Sequence, residues 1–292
     1  MAWLRLAAGD LVLELAPEVG GSIARFGLDR AQGYRPLMRP APDDFHDPLD
    51  AGCFPLVPYV NRVRDGRFSF AGRQVRMSPD LSGDRHALHG QGWRNPWAVA
   101  EADDMQAELV YRHAPGEWPW AYEARQRFDL DAEGLTVRLA VRNLAADPMP
   151  CGLGLHPYFP CDGETVLDAH VETVWTVDME IMPVERQPAA GRYCLLQRRI
   201  CGQDLDNGYE GWAGEARIAW PQRGLGLDIQ SADARYFQVY SPKSGGVFVA
   251  EPVTHANAAL NLPESQWASA GLRILEPGAE MATTARFALT QA

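Results

Sequence analysis

The chain has 292 residues, with 27 Lys and Arg against 38 Asp and Glu and a formal net charge of −11. That balance argues against nucleic acid as a partner, which wants a basic surface, and against a polybasic membrane anchor; a neutral or weakly charged small ligand is compatible with it. The length allows one or two domains, and because all-β chains of this size often form one unit, a single domain over 1–292 is expected.

The opening MAWLRLAAGDLVLELAPEVGG has no long apolar stretch, because Arg5, Asp10 and Glu14 interrupt it. Neither a signal peptide nor a membrane span is expected there. Within it LVLEL reads as a strand. RPLMRPAPDDFHDPLD (35–50) reads as a long excursion over the surface, with a short helix around 41–51. The apolar run CFPLVPYV then delivers Asn61 and Arg62 straight out of a buried segment. RFSFAGRQVRM sets Phe68 and Phe70 on one strand face and turns at Ala71-Gly72.

HALHGQGW carries His86 and His89. Their spacing suits a metal pair poorly, since residues three apart on a strand face opposite sides. No third ligand is spaced to complete a site, so no metal is expected. AELVYRH, YEARQRFDLD and LTVRLAVRNL follow as strands. In the last of these Leu135, Val137, Leu139 and Val141 alternate with more polar residues, the period of a strand with one buried face. GLGLHPYF holds His156. Taken alone it reads as a core histidine, but Pro157 pushes it toward extended geometry and places it at a strand end beside Tyr158 and Phe159. DLDNGYEGW holds Asp206 in what reads as turn chemistry.

ARIAW, LGLDIQS, YFQVYSP, GVFVAE and ARFALT complete the strands, with turns at 131–134, 221–224 and 244–246 and a short helix around 261–268. In GVFVAEPVT an apolar run leads to Glu251, and Pro252 ends the strand. With 27 glycines and 22 prolines to make tight turns, the fold class is all-β: a large antiparallel β-sandwich of a dozen or more strands. The five cysteines are odd in number and form no CxxC pair. They read as reduced, partly buried thiols of a cytoplasmic protein rather than a disulfide framework or zinc site. Burying ionisable groups is costly unless they are paired or used. Asn61-Arg62, His86 and His89, His156, Asp206 and Glu251 therefore point to one pocket assembled from many strands.

Taken in order, these motifs resemble the aldose 1-epimerase (galactose mutarotase) family. Gly20-Gly21-Ser22-Ile23 with Arg25, PYVNRVRDGRFSFAGR, HALHGQGW, GLGLHPYF, LDNGY, AEPVTHANAALN and LEPGAEMATTARFAL match family segments across most of the chain. The match is better to a bacterial branch than to typical galactose mutarotases. Those have Asn-His-Ser/Thr-Tyr-Phe where this chain has Leu155-His156-Pro157-Tyr158-Phe159, and a histidine where it has Asn207. The resemblance implies the galactose mutarotase-like supersandwich and an isomerase that interconverts the α and β anomers of a free hexose. It implies Glu251 as base and His156 as acid, ionised and protonated together, exchanging roles on ring closure. It implies Arg62, His89, Asp206 and Asn61 as substrate-binding residues, with His86 a weaker candidate, and Trp93, Tyr158 and Trp212 as possible aromatic walls. No cofactor is implied; the partner is a small-molecule sugar, and the protein is a monomer or homodimer. Two other readings stay open. A hexose-6-phosphate mutarotase would need Arg62, Arg64, Arg85 and Arg94 to converge, and a non-catalytic sugar-binding protein would use the same fold. Glycoside cleavage needs two carboxylates about one bond, which a histidine–glutamate pair does not provide.

Overall fold

The computed structural model describes residues 3–291. Two large antiparallel sheets make up the fold. The first runs in the order Leu4–Ala8, Leu11–Ala16, Ser22–Arg30, Cys53–Leu56, Gly154–Pro160, Val247–Val253, Tyr236–Ser241, Leu205–Glu210, Thr173–Val177 and Pro183–Pro188, with Gly33–Pro36 pairing off Ser22–Arg30. The second runs Ala98–Ala102, Gln106–His113, Tyr122–Leu130, Gly134–Asn143, Glu280–Thr290, Leu225–Gln230, Glu215–Trp220, Val166–Ala169 and Arg198–Arg199. The expected antiparallel β architecture is what the chain adopts. Among the described residues, no helix is long and apolar enough to cross a membrane.

The two sheets share one core because their strands alternate. Leu155, Phe159, Phe248, Ala250, Phe237, Val239, Leu205 and Tyr209 from the first sheet join Leu109, Phe128, Leu139 and Phe287 from the second in a single buried cluster. Phe159 sits 5.5 Å from Phe248 and 6.4 Å from Phe287 between ring centroids. Period two then fixes the other face: with the odd residues of Gly154–Pro160 in the core, His156 and Tyr158 must point away from it.

Several expectations need correction. His156 is the third residue of its strand rather than at its end, and the strand Val247–Val253 continues through Pro252. Asp206 lies on the strand Leu205–Glu210, not in a turn. Its Asp-Asn-Gly composition is overridden by Tyr236–Ser241, which pairs the strand along its whole length, while Thr173–Val177 pairs its far end at Tyr209 and Glu210. The 35–50 segment is more than a surface excursion, since it buries Leu37, Met38, Ala41 and Phe45. Its short helix is the 3-10 turn Pro48–Asp50, capped by the Asp47 side chain. The helix expected near 261–268 is Glu264–Trp267. Finally, Cys161 and Cys201 are joined in a disulfide, Cα atoms 5.6 Å apart, which corrects the expectation of reduced thiols; Cys53, Cys151 and Cys194 are free.

Candidate active site

The face turned away from the core carries two transverse rows of side chains. Gly154 pairs with Val253 and Tyr158 with Val249, and continuing that register sets His156 opposite Glu251. Glu251 pairs in turn with Gln238, and Gln238 with Gly208. On the other flank His156 pairs with Phe54. One residue pair further along, Tyr158, Val249, Tyr240 and Asp206 form the second row. Pro157 and Pro252 lack N–H groups, so neither can donate to the ladder where His156 and Glu251 face each other.

A pocket of about 220 Å³ opens over these rows. It is lined by His156, Glu251, Gln238, Asp206, Tyr158 and Tyr240 from the sheet, Asn61, Arg62, Leu88 and His89 from the opposing segments, and Leu49 and Leu81 at its edge. His156 Nε2 lies 3.5 Å from Glu251 Oε1, and both side chains are almost wholly buried. The His156 ring stacks on Phe54 at 4.4 Å and meets His89 edge-on at 5.2 Å. Gln238 donates to Asp206 Oδ1 at 2.9 Å.

Six residues singled out from the sequence therefore converge: Asn61, Arg62, His89, His156, Asp206 and Glu251. His86 does not. Its Nδ1 accepts the Asp65 amide and its Nε2 faces Glu180 at 3.9 Å. Of the three aromatic candidates, Tyr158 lines the pocket. Trp93 is buried behind it, stacked on Phe54 at 5.2 Å, and Trp212 stacks on Phe237 in the core. Gln238, Tyr240, Leu49, Leu81 and Leu88 were not singled out; only the register and the tertiary fold bring them in.

The segment that presents Asn61 and Arg62 makes few backbone pairings of its own, and side chains hold its amides instead. His255 Nε2 accepts from Val60, His89 Nδ1 from Asn61, Asn257 Oδ1 from Arg62, Asn261 Oδ1 from Arg64 and His86 Nδ1 from Asp65, all at 2.7–3.1 Å. This is what HALH and THANAALN encode locally. His86 and His89 both turn Nδ1 toward backbone amides, and in His89, which burial keeps neutral, this fixes the ring proton on Nε2. Asn61 and His89 both adopt left-handed backbone, and the His89 amide closes the loop on the Asn61 carbonyl at 3.0 Å. Gly90 follows because a side chain there would run into the Val57 carbonyl.

The sequence profile of the aldose 1-epimerase family matches residues 4–288. The chain belongs to the aldose 1-epimerase family. It is 34% identical over 277 residues to the uncharacterized protein YphB of Escherichia coli (strain K12), covering 89% of this chain and 90% of that one. A crystal structure of an Escherichia coli K12 protein superposes with a TM-score of 0.89 at 30% identity, covering 100% of this chain and 99% of that one. A galactose mutarotase-like protein from Clostridium acetobutylicum gives a TM-score of 0.86 at 16% identity, over 99% and 95% of the two chains, a likeness of fold.

In this aldose 1-epimerase-family pocket, burial governs ionisation. Desolvation pushes the Glu251 carboxyl well above its ordinary range; the nearby Asp206 adds to this and Arg62 opposes it. Desolvation lowers His156 to about 3, with Arg39 acting the same way. His89 is held well below its usual value by burial, then by His156 and Arg62, and burial raises Asp206 against Arg62 and the Gln238 hydrogen bond. The free pocket thus favours a protonated Glu251 beside a neutral His156. Desolvation therefore opposes both charges of the ionised-glutamate, protonated-histidine pair that ring opening is expected to use. Glu251 Oε2 and His156 Nδ1 are both buried without a partner, which leaves the pair's polar capacity open to a ligand.

Proposed function

We propose that the pocket interconverts the α and β anomers of a free, neutral aldose, with Glu251 and His156 as the proton-transfer pair. The observation that carries this reading is their placement: a carboxyl and an imidazole on neighbouring strands, 3.5 Å apart, in a small buried pocket of an aldose 1-epimerase-family chain. Ring opening removes the proton from the C1 hydroxyl and delivers one to the ring oxygen as the C1–O5 bond breaks. Ionised Glu251 takes the first and protonated His156 gives the second. The open-chain aldehyde is then held by a protonated Glu251 and a neutral His156. Rotation about C1–C2 and the reverse transfers close the ring on the other face.

The ionised and neutral forms of the pair contain the same single proton. They differ only in which residue holds it, and the neutral form, favoured by burial, is the one that accompanies the open chain. Arg62 opposes the upward shift of Glu251, so it helps reach the ionised form that ring opening needs. Asn61, Arg62, His89 and Asp206 would bind the sugar's hydroxyls. His89, neutral with its proton on Nε2, would do so as a donor. All of this fits in one domain over 1–292.

The phosphorylated-sugar reading finds no support in the arginines. Arg62 alone of the four lines the pocket. Arg64 lines a separate groove, Arg85 pairs with Asp65 and Glu180, and Arg94 lies over Trp93 and donates to the Asp80 carbonyl. Polarimetry of freshly dissolved α-D-glucose and α-D-galactose tests the function: the protein is expected to speed the drift to equilibrium. Buffer-level rates across a broad panel of free aldoses would contradict it.

A further inference from the structure

We propose that the pocket is the inner end of a longer carbohydrate cleft, so that the site favours aldoses carrying further sugar units, reducing di- and trisaccharides, over free monosaccharides; this rests on the epimerase reading given above. The groove that contains Arg64 has a volume of about 620 Å³, against about 220 Å³ for the pocket. The two share no lining residue, yet they stand on one floor. Glu251 pairs with Gln238, and Gln238 with Gly208. Thr173 pairs with Glu210 and Val174 with Tyr209, and continuing that register sets Trp175 opposite Gly208. The transverse row that carries His156 and Glu251 in the pocket thus reaches Trp175 in the groove. Gly208 is the opening between them. It is partly exposed, and a Cβ added there would meet Gln238 Oε1 at 3.1 Å and nothing else within 4 Å. Across the floor from Gln238 to Trp175, then, no side chain rises.

Trp175 is suited to the face of a sugar ring. Seven of the nine tryptophans are buried, and Trp3, which is partly exposed, packs against Phe45 and Arg25. Trp175 is partly exposed too, and it is held by its edge. Its Nε1 donates to Glu210 Oε1 at 2.7 Å, while Arg186 donates to the other Glu210 oxygen at 3.0 Å. Those bonds fix the tilt of a ring that lines the groove, and an aromatic ring so placed offers apolar area to the C–H groups of a pyranose at little cost in entropy. Gln266 and Arg64 line the same groove with hydrogen-bond donors for hydroxyl groups. Binding energy gained there, on sugar units that do not react, can be used at the carbon that does. Stacking on one aromatic ring is worth about tenfold.

NMR anomer exchange tests this by comparing kcat/KM for D-glucose with maltose, cellobiose, isomaltose and maltotriose, and for D-galactose with galactobiose. Each longer sugar ends in the monosaccharide it is compared with. At least one of them is expected to exceed its monosaccharide by about tenfold. Trp175→Ala is expected to remove that advantage while the monosaccharide rate stays as it was, and Trp175→Phe, which keeps a ring, to retain most of it. Three results would overturn this inference and leave the epimerase reading standing: no longer sugar exchanged faster than its monosaccharide, an advantage untouched by Trp175→Ala, or an equal loss with monosaccharide and longer sugar in that variant. No acceleration with any aldose would overturn both.

Discussion

Glu251 and His156 are buried ionisable groups whose burial costs stability. The unfolded carboxyl titrates near 4.5, and in the fold Glu251 holds its proton well above that. Between those two points the folded state carries a proton that the unfolded state has lost, so Glu251 destabilises the fold increasingly as pH rises. Glu251→Gln removes the titration while nearly preserving shape. Its Tm is expected to equal or exceed that of the parent at neutral pH, with the margin widening as pH rises above 4.5; a margin that narrows as pH rises would contradict a raised Glu251. Activity should carry the same signature. His156 is lowered to about 3 from 6.5, so the pair keeps its single proton through the ordinary histidine range. We expect kcat/KM to stay level as pH falls through 6.5, with the alkaline limb set by Glu251 and macroscopic values belonging to the pair. A steep acid limb near 6.5 would show His156 titrating as an ordinary histidine.

At the scale of elements, the segment 60–65 is positioned by side chains from two other stretches of chain. Asn257 is the clearest lever, because its Oδ1 accepts the Arg62 amide at 3.1 Å while its Nδ2 donates to the Ile181 carbonyl at 3.0 Å. Asn257→Ala leaves a backbone amide without its partner, a loss of about 1–3 kcal/mol when buried. It is expected to raise KM about fivefold or more while lowering kcat less, since it misplaces Arg62 and not the proton-transfer pair. Asn257→Asp retains the acceptor and should recover most of the lost affinity; equal defects in both variants would reduce Asn257 to a purely structural role. Steady-state kinetics on the preferred aldose makes the measurement. The strands themselves were legible from period two: Tyr122–Leu130, Gly134–Asn143 and the hairpin about Ala71-Gly72 fall where the alternation puts them. Asp206 was misplaced because local turn chemistry cannot register the neighbours that pair its strand. Pro252 was read as a terminus because its missing N–H is tolerated only where the ladder is open, and that is a tertiary fact.

At the scale of the molecule, the first sheet serves as both wall and scaffold: one face packs on the second sheet while the other lays His156, Glu251 and Gln238 in a row. The polar residues of the site were readable because each interrupts an apolar or glycine-rich run, where a charge without a purpose is costly. Gln238, Leu49 and Leu81 were not, because a glutamine between Phe237 and Val239 looks like any outward residue of an alternating strand, and a leucine at a loop looks like any leucine. In the proposed function Glu251 and His156 act as a single proton-exchanging unit. The most direct test is NMR anomer exchange, under saturating aldose, for Glu251→Gln, His156→Asn and the double variant. Each single change is expected to cut kcat by about a hundredfold or more, and the double variant should be little worse than the poorer single. A Glu251→Gln protein with near-normal turnover, or single losses that multiply in the double variant, would contradict it.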